Sequence, residues 1–126
     1  MLVNSLVFLF FLVLAGEIPK EIINLVELEE LLLGSNRFRG PLTMVIFNIS
    51  GLRVIYLSFN NLSGSLPPNL GSLLPNIEEF YLSDINNLVG TIPHSISNCS
   101  ELTILDLSYN KLTGLIPSSL GYLTLH

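Results

Sequence analysis

The sequence predicts an α/β solenoid, a stack of similar coils with short parallel strands on the concave side and irregular or 3-10 segments on the convex side. The pattern L-x-x-L-x-L-x-x-N-x-L runs from Leu102 to Leu112, and its asparagine recurs at Asn36, Asn60, Asn86 and Asn110 with spacings of 24, 26 and 24. A glycine follows each asparagine four positions later, at Gly40, Gly64, Gly90 and Gly114, and Gly16 stands 24 residues before Gly40. A single coil of this kind cannot bury its own leucines, whereas a stack of three or more can.

The chain opens on an apolar run from Leu6 to Ala15. Such a run is shorter than the roughly 20 residues a spanning helix needs and suits the core of a secretory signal, with Ala15 as the small residue at the cut. Residues 1–15 are therefore read as a signal peptide, although no Lys or Arg precedes the run. An uncleaved anchor and a mispredicted first exon are the alternatives.

From Gly16 to His126 the chain reads as one repeat domain of about four and a half coils, without a cap at either end. Gly16-Glu17-Ile18-Pro19 is the tail of a repeat whose strand is missing. Strand-bearing segments follow at Leu28–Phe38, Leu52–Leu62, Ile77–Leu88 and Leu102–Leu112. The third carries one extra residue between Leu82 and Asn86 and another between Pro67 and Phe80, which accounts for the longer spacing. Because a solenoid normally needs polar caps over its terminal coils, residues 16–126 alone are expected to be marginally stable or prone to aggregate.

The logic of one copy follows from its residue types. Alternation at Leu105-Asp106-Leu107 turns the leucines inward and the aspartate outward. Asn110 falls where the chain leaves the strand, and its short amide offers a donor and an acceptor to backbone groups without ladder partners. Gly114 permits the backbone angles of the bend, and Pro117 sits where no ladder N–H is required.

Composition narrows the function. The 126 residues are 49% hydrophobic and 12% charged, enough apolar content for a core. A net charge of −5 with five scattered basic residues disfavours a nucleic-acid or anionic-membrane surface. Cys99 alone can form neither an intrachain disulfide nor a CxxC pair, and with only His94 and His126 beside it no metal site is expected. Cys99 reads as a small buried filler and His94 as an outer-face residue.

The string from Leu102 to Pro117, and the Gly-x-Ile/Leu-Pro at Gly16, Gly64, Gly90 and Gly114, resemble the plant-specific class of leucine-rich repeats. Ser97-Asn98-Cys99-Ser100-Glu101-Leu102 also resembles a phrase common in those proteins. The resemblance covers about residues 16–126 and implies a leucine-rich-repeat solenoid like the ectodomains of plant receptor-like kinases and receptor-like proteins. Such ectodomains bind peptides, steroids or microbial fragments. The function implied is a recognition module, a fragment of a receptor ectodomain that binds a peptide, glycan or protein through its concave face, with a possible coreceptor. It would lie outside the cell, secreted or at the membrane and attached only through the leader or a missing parent segment, with a role in plant defence. The alternative is a secreted enzyme inhibitor similar to the polygalacturonase-inhibiting proteins. Gly40-Pro41-Leu42 departs from the motif, the amino-terminal cap with paired cysteines is absent, and a kinase domain could belong only to the parent protein.

The expected binding surface is the row structure of the strands. One row is Glu30, Val54, Glu79 and Ile104, and the next is Leu32, Tyr56, Tyr81 and Asp106. Two more are Gly34, Ser58, Ser83, Ser108 and Ser35, Phe59, Asp84, Tyr109. The aromatic members Tyr56, Phe59, Tyr81 and Tyr109 offer large contact area at small entropic cost, although β-propensity alone also places such residues in strands. Glu30 and Glu79 could receive a basic ligand group. The neighbouring pairs Glu29-Glu30 and Glu78-Glu79 do not suggest acid–base catalysis, because adjacent strand residues point to opposite faces. No catalytic residue and no cofactor are expected. Three sequons, at Asn48, Asn61 and Asn98, suit a secreted glycoprotein.

Overall fold

A computed structural model describes residues 6–9, 15–18, 20–24, 27–42, 44–85, 87–117 and 124–125. The chain turns through successive coils, and each coil adds one strand to each of two parallel sheets. The larger sheet contains β1 (Leu6–Leu9), β3 (Leu28–Leu32), β5 (Val54–Tyr56), β7 (Glu79–Tyr81), β9 (Ile104–Asp106) and β11 (Thr124–Leu125), in that spatial order. Ile55, Phe80 and Leu105 share one register position, so each inward side chain rests on its equivalent one coil away. The ladder runs past the ends of the strands. Leu33, Leu57 and Leu82 donate their backbone N–H groups to the carbonyls of Tyr56, Tyr81 and Asp106 at 2.9, 2.9 and 2.8 Å. The expected leucine stack is therefore present, with Leu57, Leu82 and Leu107 all buried.

A second sheet stands where irregular chain was expected. It contains β2 (Ala15–Gly16), β4 (Arg37–Pro41), β6 (Asn61–Gly64), β8 (Asn87–Thr91) and β10 (Lys111–Thr113), again all parallel. These segments become strands because each lies beside its copy one repeat away, and backbone groups that have left the first sheet must still be paired. The repeating glycine sits in this sheet or at its edge. Gly16, Gly40, Gly64, Gly90 and Gly114 all have φ between 83° and 108°, a conformation that disfavours any side chain.

Short helical turns close each coil on the remaining side. They are 3-10 turns at Lys20–Asn24 and His94–Asn98, with single α-helical turns α1 (Met44–Phe47) and α2 (Leu70–Leu73) between them. Phe47 from α1 meets Phe80 from β7 with ring centroids 6.5 Å apart, which ties this side to the strand side through the core. Gly71 of α2 has no side chain because the backbone oxygen of Ser95 passes there. A Cβ at Gly71 would lie 1.8 Å from it.

Two further features differ from the sequence-based expectation. The strand read as missing from the first coil is supplied by the apolar leader. Leu6–Leu9 pairs in parallel with β3, Phe8 opposite Leu31 and Leu9 opposite Leu32. Val7 and Phe8 suit a pleated strand, and the strand lies against an end of the stack where Leu28 and Leu31 are fully buried. The remainder of the run read as a signal peptide, residues 1–5 and 10–14, lies outside the described residues. Among the described residues no helix is long and apolar enough to cross a membrane.

The second difference is at the asparagine position of the third coil. Ser35, Phe59, Asp84 and Tyr109 share a left-handed φ of 52–63°, and the next residue is Asn36, Asn60 or Asn110 in three coils but Ile85 in the other. Ile85 is fully buried. The extra residue of the long repeat is thus accommodated after the corner, and Asn86, expected in that position, lies outside the described residues.

Candidate functional site

The corner asparagines hold the strand face in shape. Asn60 Nδ2 donates to the carbonyls of Leu57 at 2.9 Å and Leu33 at 3.0 Å, while its Oδ1 accepts from Phe38 N–H at 3.1 Å. Asn110 repeats the arrangement, bonding to the carbonyls of Leu107 and Leu82 and accepting from Ile85 N–H. Each amide therefore satisfies its own coil and the preceding one.

On the larger sheet the register places Glu30, Val54, Glu79 and Ile104 in one row and Leu32, Tyr56, Tyr81 and Asp106 in the next, as the sequence predicts. All eight are half-buried. Tyr56 and Tyr81 pack with ring centroids 5.5 Å apart at an interplanar angle of 55°, a tilted arrangement that aromatic quadrupoles favour. The Tyr56 ring also lies over Gly34, where an added Cβ would meet its Cε1 at 1.8 Å. The absence of a side chain at Gly34 thus makes room for the aromatic pair. The Tyr81 hydroxyl donates to Glu79 Oε1 at 2.6 Å. This bond to Glu79, followed by desolvation and the neighbouring negative charges, pushes the Tyr81 phenol up to about 12. Asp106 accepts from the Ser108 hydroxyl at 2.6 Å and from its N–H at 3.1 Å.

The acidic pairs separate as strand alternation requires. Glu79 engages Tyr81, whereas Glu78 joins Glu29 in holding Arg53, whose Nε donates to Glu78 and whose Nη1 donates to Glu29 at 3.2 Å. The hydrogen bonds to Glu78 and then to Glu29 hold the Arg53 guanidinium above its ordinary value. These carboxylates belong to an ion-pair row across three coils.

The other two expected rows need correction. Ser58 and Ser83 are 1% and 7% exposed. The Ser83 hydroxyl and N–H each donate to Ser58 Oγ at 2.9 Å. Beyond the strand the chain curves inward, so alternation no longer applies. Ser35, Phe59, Asp84 and Tyr109 do reach the surface, but from the left-handed corner. Phe59 and Tyr109 are 49% and 84% exposed.

Around this corner lies a feature the sequence reading missed. Arg37 and Arg39 of β4, together with Phe59, Asn61 and Asp84, line an open cleft of about 490 Å³. The only signal in the sequence is two arginines separated by one apolar residue. Elsewhere, Cys99 is buried and its thiol is directed at the Leu74 carbonyl at 3.7 Å, and burial pushes its thiol up. The sequon residues Asn48, Asn61 and Asn98 are all exposed.

Known proteins agree with this geometry. The family model described as Leucine Rich Repeat matches residues 51–73 and 101–123. Receptor-like protein 36 of Arabidopsis thaliana is 39% identical over 65 residues, 51% of this chain and 9% of that protein. Receptor-like protein 31 of the same plant is 35% identical over 61 residues, 48% of this chain and 7% of that protein. The chain thus spans less than a tenth of the curated relatives it matches. Among solved structures, the plant peptide hormone receptor RGFR1 in complex with RGF2 superposes with a TM-score of 0.81 at 38% identity, over 90% of this chain and 19% of that one. The Arabidopsis receptor kinase HAESA, in complex with the peptide hormone IDA and the co-receptor SERK1, gives 0.79 at 35% identity over 88% and 18%. A plant ice-binding protein gives 0.80 at 35% identity over 97% and 39%, so this architecture serves more than one purpose. The chain carries leucine-rich repeats, and its solenoid is similar to a stretch of plant leucine-rich-repeat receptor ectodomains.

Proposed function

We propose that the chain is the recognition segment of a plant receptor ectodomain and takes a peptide or protein ligand on the outer face of its larger sheet. The observation that carries this reading is the Tyr56–Tyr81 pair, seated over Gly34 and flanked by Glu30 and Glu79 in the adjacent row. Two tilted rings present a rigid, amphipathic surface, the type of group that dominates interface energies. The two carboxylates beside them favour a ligand carrying a lysine or arginine, whose cation can meet a ring face as well as a carboxylate. Structures of similar receptors holding peptide hormones, one with a co-receptor, support the ligand and partner class.

In this reading the chain acts outside the cell and carries glycans at Asn48 and Asn98, and the leader directs it there. Arrays of basic and acidic peptides probed with the full chain provide the test. Basic peptides bind selectively, and Tyr56→Ala and Tyr81→Ala each weaken binding by about tenfold or more, the loss expected for an aromatic anchor. Equal binding of both peptide sets, or unchanged binding by both variants, overturns the reading.

A further inference from the structure

Two of the chain's five basic residues, Arg37 and Arg39, occupy alternate positions of β4 and are exposed on either side of buried Phe38. Alternate strand residues share a face and lie about 7 Å apart. Arg53 is held between two carboxylates, but neither Arg37 nor Arg39 has a carboxylate within ion-pair distance among the described residues. In a chain of net charge −5 they bring two such guanidiniums to the wall of one cleft.

The other walls of the cleft restrict what can enter. Phe59 provides a half-exposed aromatic face, and Asp84 provides a hydrogen-bond acceptor with a negative charge. A dianion such as phosphate would meet repulsion from Asp84. A group with one negative charge, an apolar face and several hydroxyl donors matches all three walls. Guanidinium groups grip a carboxylate through paired hydrogen bonds, the Phe59 ring covers C–H groups, and Asp84 accepts from hydroxyls. We propose that this cleft binds a uronic-acid residue of an acidic polysaccharide. A peptide carboxyl terminus brings the same charge but lacks the hydroxyl donors that Asp84 is placed to receive.

Asn61 borders the cleft and heads a sequon, so a glycan there would roof it. The test therefore uses the full chain produced without N-glycans, titrated calorimetrically with a galacturonic-acid oligomer, its methyl ester and a peptide with a free carboxyl terminus. The acid oligomer binds, and the ester binds about tenfold more weakly or worse, as expected on losing charge-assisted bonds. The double variant Arg37→Gln/Arg39→Gln shows a similar loss at unchanged melting temperature. If that variant fails to fold, Phe59→Asn, which keeps a residue tolerant of the left-handed backbone, serves in its place and also weakens the acid oligomer. Tyr56→Ala leaves oligomer binding unchanged, which separates this site from the strand face. Equal binding of acid and ester, no binding of the acid, preference for the peptide, or full binding by the arginine variant or its substitute overturns the proposal.

Discussion

The Tyr81 hydroxyl donates to Glu79 Oε1 at 2.6 Å from two positions along the same strand. Both residues therefore project from one face of β7, and the bond fixes the phenol beside Tyr56. The ring pair and the acidic row form a single unit, so a change in Glu79 should register in the tyrosines.

Ionisation of Tyr81 makes that coupling measurable. Folding raises the phenol from 10.0 to about 12, so its contribution to stability is complete below pH 10.0 and is lost as the pH rises through about 12. Phenolate absorbance should show one tyrosine titrating late, and that component should disappear in Tyr81→Phe. In Glu79→Gln it should shift toward 10.0, because the largest cause of the rise is removed. A wild-type titration with no late component would contradict the geometry.

Two glycine substitutions should differ sharply. At Gly34 the obstructing atoms belong to the Tyr56 side chain, whereas at Gly71 the obstruction is the backbone oxygen of Ser95, in each case 1.8 Å away. Gly34→Ala should swing Tyr56 off its seat at small cost, seen as a changed aromatic circular dichroism signal with little change in melting temperature. Gly71→Ala must push neighbouring coils apart and should cost about 1–3 kcal/mol or more, as overpacking does. Denaturant unfolding of the two variants checks the order.

Asn60→Ala removes three hydrogen bonds at a buried corner, leaving the carbonyl of Leu57 and the N–H of Phe38 without their amide partner, while the Leu33 carbonyl keeps the bond from Asn36 Nδ2 at 2.9 Å. Each unsatisfied buried group costs about 1–3 kcal/mol, so the total should be roughly 2 kcal/mol or more. Asn61→Ala, one residue along and exposed, should cost under about 0.5 kcal/mol. Equal melting temperatures for the two would show that the amide ladder is not structural.

Processing of the leader has a direct physical readout. If cleavage follows Ala15, β1 departs and Leu28 and Leu31 lose the strand beside them. Residues 16–126 should then unfold earlier than the full chain and bind more of a hydrophobic dye, with a loss of up to about 1.5–3 kcal/mol for each leucine side chain uncovered. Mass spectrometry of the protein expressed in plant cells would show whether its first residue is Gly16.

The strand rows were legible because a period-2 alternation repeated every two dozen residues leaves little choice of register, and Glu30, Tyr56, Tyr81 and Asp106 fall where that pattern puts them. Elsewhere the residue pattern and the backbone part company. Alignment on asparagine chose Asn86, which lies outside the described residues, while the left-handed residue of that coil is Asp84 and Ile85 follows it into the core. Alternation extended past the strand end put Ser58 and Ser83 outside, although the chain there turns inward and the two hydroxyls bond each other. The second sheet was invisible for a different reason. Asn61–Gly64 carries no strand propensity of its own and is a strand only because β4 and β8 lie on either side. The Arg37–Arg39 cleft depends on that sheet and was hidden with it.

The side-chain amides that stitch one coil to the next join residues 22 to 28 positions apart. Such a span is fixed by the repeat and does not grow as coils are added. Lengthening the solenoid therefore adds no slower loop-closing step, and a nucleus formed anywhere can advance by recruiting the adjoining coil. Selection can then enlarge or shorten the strand-bearing surface one repeat at a time with little penalty in folding speed.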